Sequence, residues 1–243
     1  NLSTRGRVAI VVVLSAVPAL GWMVYGALEQ RYVAEAHARE DLQRYARLAA
    51  KHQEQALEGA RQLLFAMSGV VPALMRDRQA CHEYFRGLML AGHGLYHSLG
   101  VHLASGDLHC NAVTWNDGVN VSDRYYFRVA AASGKFSVGG YQTGRATVRE
   151  GIDFGYPVLD ADKKVVGVVF AGLDLKRFTE LASATPQPPG AVVTLFDRDG
   201  VVLAQHPAQA ARVGDKGSDA HLNQAMFAAK AGAKERNGGQ SFT

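Results

Sequence analysis

The sequence predicts an α+β fold: one transmembrane helix continuing into a long stalk helix, then two antiparallel sheets in tandem, the second of them incomplete. Three observations carry this. An apolar run near the N-terminus is free of charge and about as long as a bilayer core is thick. The stretch behind it is poor in Gly and Pro and repeats apolar residues every three or four positions. Further on, the order apolar strand, Asp-x-Asp turn, apolar strand occurs twice, at PVLDADKKVVGVVFAG and at AVVTLFDRDGVVLAQHP.

The apolar run is Val8–Gly26. Arg5 and Arg7 precede it and Glu29 and Arg31 follow it, so the positive-inside rule places residues 1–7 in the cytoplasm and the bulk of the chain outside. Trp22 and Tyr25 fall near its outer end, where aromatic belts form. A cleaved signal peptide is the rival reading, but Ala34-Glu35-Ala36, the nearest imitation of a cleavage site, lies far beyond the apolar run. Residues 27–76 read as the stalk, with a stripe at Leu42, Tyr45, Ala49, Ala56, Ala60, Leu63, Met67 and Val70. That stripe packs either on its own domain or along a parallel homodimer seam.

A short helix over Arg78–Leu90 comes next. Strands at Leu99–Ala104 and Leu108–Val113 follow, joined by a Ser105-Gly106 turn. Ser122 is a suitable N-cap for a helix over Asp123–Ala132, which Gly134 stops. Lys135–Arg149, Ile152–Leu159 and Val165–Leu173 carry strand chemistry, with Asp160–Lys164 as a turn. A helix over Leu175–Ala184 closes the unit. Thr185–Gly190 (TPQPPG) is a boundary, since its prolines exclude helix and central strand. The remainder supplies a hairpin, a helix near Asp219–Ala231 and the start of a strand at Gln240–Thr243. A sheet ending there would leave an open edge, so the chain is expected to be part of a longer protein.

Composition narrows the function. With 48% hydrophobic and 20% charged residues and a net charge of +4 spread along the chain, it is a folded protein without a nucleic-acid stripe. Two cysteines exclude a Cys-rich scaffold and a Cys-only zinc site, and remain compatible with one disulfide. There is no phosphate-binding glycine loop, nucleophile elbow or cysteine with a nucleophile's context, so no catalytic site is expected in this region.

SDRYYFRVAAASGKFSVGGYQTGR (Ser122–Arg145), DFGYPVLDADKKVVGVVFAGLDL (Asp153–Leu175) and PPGAVVTLFDRDGVVLAQHP (Pro188–Pro207) together resemble the double Cache sensor domains of bacterial transmembrane receptors, over roughly residues 28–243. The resemblance implies PAS-like sheets carried by a long N-terminal helix. Residues 77–185 would be the membrane-distal, ligand-binding subdomain and residues 186–243 the start of the membrane-proximal one. It further implies an inner-membrane location, with a diguanylate cyclase, histidine kinase or chemotaxis output downstream. The amino-acid-binding subgroup is matched in part: its Arg-x-Trp-Tyr element falls on Arg124, Tyr126 and Phe127, and its amine-binding Asp on Asp174. Here the Trp is Tyr126, the Tyr is Phe127 and the upstream Tyr is Val119, so two polar contacts are removed and an α-amino acid ligand is not favoured. The resemblance also implies a Cys81–Cys110 disulfide.

Candidate ligand contacts are therefore Arg124, Tyr126, Tyr141, Arg145 and Asp174. Two arginines can grip a carboxylate, the phenols can donate hydrogen bonds, and Asp174 can accept from an ammonium or hydroxyl. Helix-face ion pairs and core tyrosines are the plainer account. Tyr141 and Arg145 differ by an even number and share a face in an unbroken strand, unless Gly144 marks a bulge. Of the histidines, His93 and His97 are four apart and His102 and His109 could face each other across the Gly106 turn. No carboxylate completes a metal pattern, so these are expected to be surface or cross-strand histidines, with no metal and no cofactor. Asp197-Arg198-Asp199-Gly200 lacks the later acidic ligand of a calcium loop and reads as a turn. The leading expectation is a receptor for a small carboxylate- or amine-bearing ligand. The alternative is a membrane-anchored periplasmic protein-interaction module.

Overall fold

The computed structural model describes residues 54–91, 94–114, 117–176, 179–180, 193–206 and 213–216, together with Trp22, Met23, Tyr25, Arg44, Leu48 and Lys51. The chain divides into two compact units, residues 1–51 with 187–191 and residues 52–186 with 192–243. In the first unit the six described residues are helical, and Trp22, Met23 and Tyr25 are exposed. The expected span 8–26 otherwise lies outside the described residues, among which no helix is long and apolar enough to cross a membrane. The expected helices at 175–184 (apart from 175–176 and 179–180, which are helical) and 219–231, and the strand at 240–243, also lie outside them.

The second unit opens with a helix, α1, over residues 54–74. It is followed by α2 (Arg78–Ala91), β1 (Tyr96–Leu103), β2 (Leu108–Asn111), α3 (Tyr125–Ser133), β3 (Ser137–Thr143), β4 (Glu150–Leu159), β5 (Val165–Asp174), β6 (Val193–Phe196) and β7 (Val202–His206). Strands β1–β5 form one antiparallel sheet in the order β2-β1-β5-β4-β3, and β6 pairs with β7. The fold class is thus α+β, as the strand spacing predicts.

Helices cover both faces of the large sheet, which is why β1 and β5 are buried almost throughout. On one face, Ala60, Leu64, Met67 and Val71 of α1 and Cys81 and Phe85 of α2 pack on Leu99, Val101, Phe154, Val169, Ala171 and Leu173. On the other, Tyr126, Phe127 and Ala130 of α3 pack on Leu108, Val168 and Phe170. The stripe of α1 therefore keeps the expected Ala60 and Met67, with Leu63 half-buried at its margin, and adds Leu64 and Val71, while the expected Val70 is exposed. Over these residues it packs on its own sheet.

Both sheet edges are blunted by side chains. Arg78 Nε donates to the His109 carbonyl at 2.8 Å and His82 Nδ1 bonds the Asn111 carbonyl at 2.6 Å, so α2 covers β2. The disulfide Cys81–Cys110, with Cα atoms 6.1 Å apart, joins the same two elements. At the opposite edge the Tyr141 N–H donates to Asp197 Oδ2 at 2.9 Å, tying β3 to the β6–β7 turn. Such capping leaves little free backbone for another chain to pair with.

The repeated turn of the sequence is repeated in three dimensions. Asp160 Oδ1 accepts from the N–H of Asp162 and Lys164, and Asp197 Oδ1 from the N–H of Asp199 and Val201. In each, the fourth residue has positive φ: Lys163 at 62° and Gly200 at 77°. Asp197–Gly200 is a turn, as expected. One boundary moves. Arg124, not Ser122, is the N-cap of α3, because Asn120 Oδ1 holds the Ser122 N–H and the Arg124 N–H closes a turn onto Val121. Gly134, at φ 66°, ends the helix as expected.

Candidate functional site

The site lies between the large sheet and the N-terminus of α3, beneath the loop that joins β3 to β4. Its floor is set by strand register. Ser98 of β1 pairs with Gly172 of β5, and Gly172 with Asp153 of β4, so the three form one row across the sheet. Gly172 contributes no side chain, which makes room for the His97 ring between Ser98 and Asp153. A Cβ there would lie 2.6 Å from His97 Cε1 and 2.7 Å from Asp153 Oδ1, so imidazole and carboxylate meet above it. His97 faces the site because the register of β1 shifts between Tyr96 and Ser98, a bulge that re-aims one side chain.

A second bulge decides which residue of β3 joins them. Val138 pairs with Phe154 but Tyr141 with Ile152, so β3 carries one extra residue between them. Tyr141 is moved to the Ile152 face, where it packs at the edge of the main core. Gln142 takes the inward position, and its Nε2 donates to Asp153 Oδ2. The shared face anticipated for Tyr141 and Arg145 is therefore not formed: β3 ends at Thr143, and Arg145 stands in the loop.

Arg124 Nη1 donates to Gln142 Oε1 at 3.0 Å and Nη2 to the Thr143 carbonyl at 3.2 Å. Arg145 closes the mouth, with Nη1 on Asp123 Oδ1 at 2.6 Å, Nη2 on Asp123 Oδ2 at 2.8 Å, and Nη1 also on the Asn120 carbonyl. Thr147 of the same loop lies 3.4 Å from His97 Nδ1. Within, the Tyr126 hydroxyl is 3.3 Å from His102 Nε2, and the His102 ring stacks on Phe170 at 4.4 Å. The space within is about 30 Å³. That holds a water-sized group, whereas organic-ligand pockets run to roughly 300–1,000 Å³. The loop is thus drawn down over the site.

Burial dominates the electrostatics. It pushes the Asp153 carboxyl up to about 6, against the Gln142 bond and the charge of Arg124. It pushes His102 down to about 3, and His97 also below the usual histidine range. At the rim, hydrogen bonding to Arg145 holds Asp123 down at about 2. Two polar atoms in the wall, Ser98 Oγ and His102 Nδ1, are buried without a hydrogen-bond partner.

Of the five expected contacts, Arg124, Tyr126 and Arg145 line this cavity, and Tyr141 and Asp174 do not. Asp174 ends β5 with its carboxylate 3.4 Å from Arg149 and accepts the Lys176 N–H. The histidines need a larger correction. His97 and His102 are neither surface nor cross-strand partners but buried walls of the cavity, and His102 pairs with Leu108, not His109. His93 lies outside the described residues, among which no cluster suits a metal ion. Ser98, Gln142 and Asp153 also escaped the sequence reading. The available signal was a polar residue set between apolar ones in an inner strand, His102 within Leu99–Leu103 and Asp153 within Ile152–Tyr156, whereas Ser98 and Gln142 carried no such signal. A larger cleft of about 850 Å³ opens on the other face, lined mainly by apolar side chains such as Leu57, Phe136, Ile152 and Leu203. The polar cavity is the better candidate, because a ligand is oriented by a few convergent polar groups.

The sequence matches no protein-family model and no curated protein. Solved structures do match. The extracellular domain of a histidine-kinase candidate, rpHK1S-Z16, is similar at TM-score 0.60 and 21% identity, over 73% of this chain and 75% of that one. The ligand-binding domain of the Pseudomonas fluorescens chemoreceptor CtaA, in complex with L-serine, is similar at TM-score 0.56 and 20% identity, over 76% and 80%. That of the Campylobacter jejuni chemoreceptor Tlp3, in complex with 4-methylisoleucine, is similar at TM-score 0.57 and 13% identity, over 75% of each chain. At these identities the likeness is one of fold alone.

Proposed function

We propose that this chain is the extracytoplasmic small-molecule sensor region of a membrane-bound signal-transduction receptor, with its ligand held under the β3–β4 loop by Arg124, Tyr126 and the row Ser98–Gly172–Asp153. Residues 8–26 would anchor it, the stalk would form a homodimer, and the output domain would follow downstream. The observation that carries this reading is the set of buried polar atoms without partners, Ser98 Oγ and His102 Nδ1, beside a buried carboxylate. An unmet buried polar atom costs about 1–3 kcal/mol, a loss that a ligand supplying the missing bonds would recover.

Opening the site is inexpensive. The Arg145–Asp123 pair is 39% and 61% exposed, and exposed ion pairs contribute only about 0–1 kcal/mol. A route for the signal also exists, because adjacent residues of β3 serve different partners. Gln142 meets Asp153 in the cavity, while the Tyr141 N–H holds Asp197 of the β6–β7 turn. A ligand that shifts β3 would bias the hairpin with it, as population shift requires differential contacts in two states.

Thermal-shift screening of the full chain in detergent against amino acids, organic acids, amines and purines tests the reading. A ligand at a hundred times its Kd is expected to add about 2.7 kcal/mol, or roughly 5–10 °C. Ser98→Ala and Tyr126→Phe should each weaken that ligand about tenfold. No hit, or a hit that neither substitution weakens, counts against the cavity.

A further inference from the structure

We infer that residues 144–149, between β3 and β4, form a spring-loaded strap over the cavity: Val148 is held in a strained turn while the strap is shut, and opening releases it. The backbone supplies the first observation. Val148 has φ 52°, a left-handed conformation that a β-branched side chain opposes because its branches crowd the neighbouring backbone. Among the described residues the other non-glycine with positive φ is Lys163, which is unbranched. Burial does not offset the strain, since Val148 is 79% exposed. Glycine or asparagine would take this conformation readily.

The turn is imposed by what the strap reaches. The Val148 N–H donates to the Gly144 carbonyl at 2.9 Å and the Gly144 N–H to the Arg149 carbonyl at 2.8 Å, which draws the segment into a closed ring. Three successive residues then meet the body of the domain. Arg145 is bound by Asp123 and the Asn120 carbonyl, Ala146 packs on the cluster of Tyr126 and Phe170, and Thr147 reaches His97. Residues 143–147 thus wall the cavity, and Val148 follows directly behind them. Strain of this kind persists only while its surroundings enforce it. The ionic ties of the strap, Arg145 to Asp123 and Arg149 to Asp174, lie partly in solvent and are weak. When they let go, Val148 returns to an extended backbone, and the stored strain favours the open strap. The shut cavity holds no more than a water-sized group, so the strap sets how often a larger molecule can enter.

Thiol labelling of the full chain in detergent micelles tests this, with iodoacetamide as the probe. Ser98→Cys places a thiol in the cavity wall, at a residue 3% exposed whose hydroxyl has no hydrogen-bond partner to lose. Cys81 and Cys110 are joined to each other, so this is the one thiol that reacts. In this background Val148→Asn and Val148→Gly should each slow labelling about tenfold. Val148→Ile, which keeps the branch, should change it less than about twofold. Asp123→Asn undoes the clasp and should speed labelling about two- to fivefold. Rates should stay level up to about 1 M urea, because local opening exposes little surface and global unfolding exposes much. Should the two substitutions at Val148 differ, Val148→Asn decides, since glycine also loosens the open chain. Labelling that Val148→Asn does not slow, that climbs steeply with urea, or that fails altogether in the folded protein overturns the strap. No ligand is used, so such a result leaves the sensor reading to its own screen.

Discussion

Replacing Cys81 and Cys110 with alanine is expected to lower stability by about 3.5 kcal/mol, because the disulfide closes a loop of 29 residues and loop closure restricts the unfolded chain by that amount. For a unit of this size the loss corresponds to roughly 7–14 °C in Tm. The position of the bond makes it more than a local staple. It fastens α2 to β2, a four-residue edge strand whose one sheet neighbour is β1. Both sulfurs belong to buried residues of the main core, so reductant should act slowly until the domain opens. Non-reduced peptide mapping should recover the 81–110 cross-link, and wild type unfolded in reductant should match the double variant. Equal Tm with and without reductant, together with two thiols that alkylate after denaturation, would refute the bond.

The second large effect is a gain. Asp153→Asn is expected to raise stability at pH 7.5 by about 1–3 kcal/mol, since a two-unit displacement of one carboxyl amounts to roughly 3 kcal/mol. In the fold its pKa moves from 3.8 to about 6, chiefly through burial. The folded state therefore favours the protonated form. Stability from this group is full below pH 3.8, is lost as pH rises through about 6, and stays lost above it. Asn keeps the shape and can still accept from Gln142, but carries no charge. The gain should shrink on acidification and vanish near pH 4. His102 has the opposite sign. With its pKa lowered from 6.5 to about 3, its contribution is full above 6.5 and fades as pH falls. Wild type should thus show a shallow profile between pH 6.5 and 4, and the variant a steeper acid loss. Denaturant titration at pH 4, 5.5 and 7.5 measures this, and a gain that does not change with pH would sink the account. A residue that destabilises its own fold at neutral pH and borders the polar cavity is what a binding site retains for function.

Local chemistry was legible from the sequence alone. The Asp160 and Asp197 turns follow from an aspartate that satisfies the backbone two and four residues on, and the C-cap of α3 from a glycine that adopts left-handed φ. Alternation and turn spacing gave the strands of the large sheet, and with them the α+β class. The resemblance to sensor domains supplied the Cys81–Cys110 bond, since a count of two cysteines leaves open whether they are joined. Arg124, Tyr126 and Arg145 were found because they lie in that motif.

Only the tertiary structure decided which way the side chains face. The α1 stripe kept Ala60, Leu63 and Met67 but centred on Leu64 and Val71 against the sheet it met, leaving Val70 exposed. Two bulges, at His97 and between Val138 and Tyr141, set which side chains of β1 and β3 face the cavity. They turned Tyr141 to the core edge, Gln142 into the cavity and His97 over Gly172. Asp153 was buried by the packing of α3 on its face of the sheet. A bulge is fixed by the register of strands distant in sequence, and burial by what packs on top. Neither is a property of the segment that carries it, so the polar floor of the site was assembled by non-local pairing.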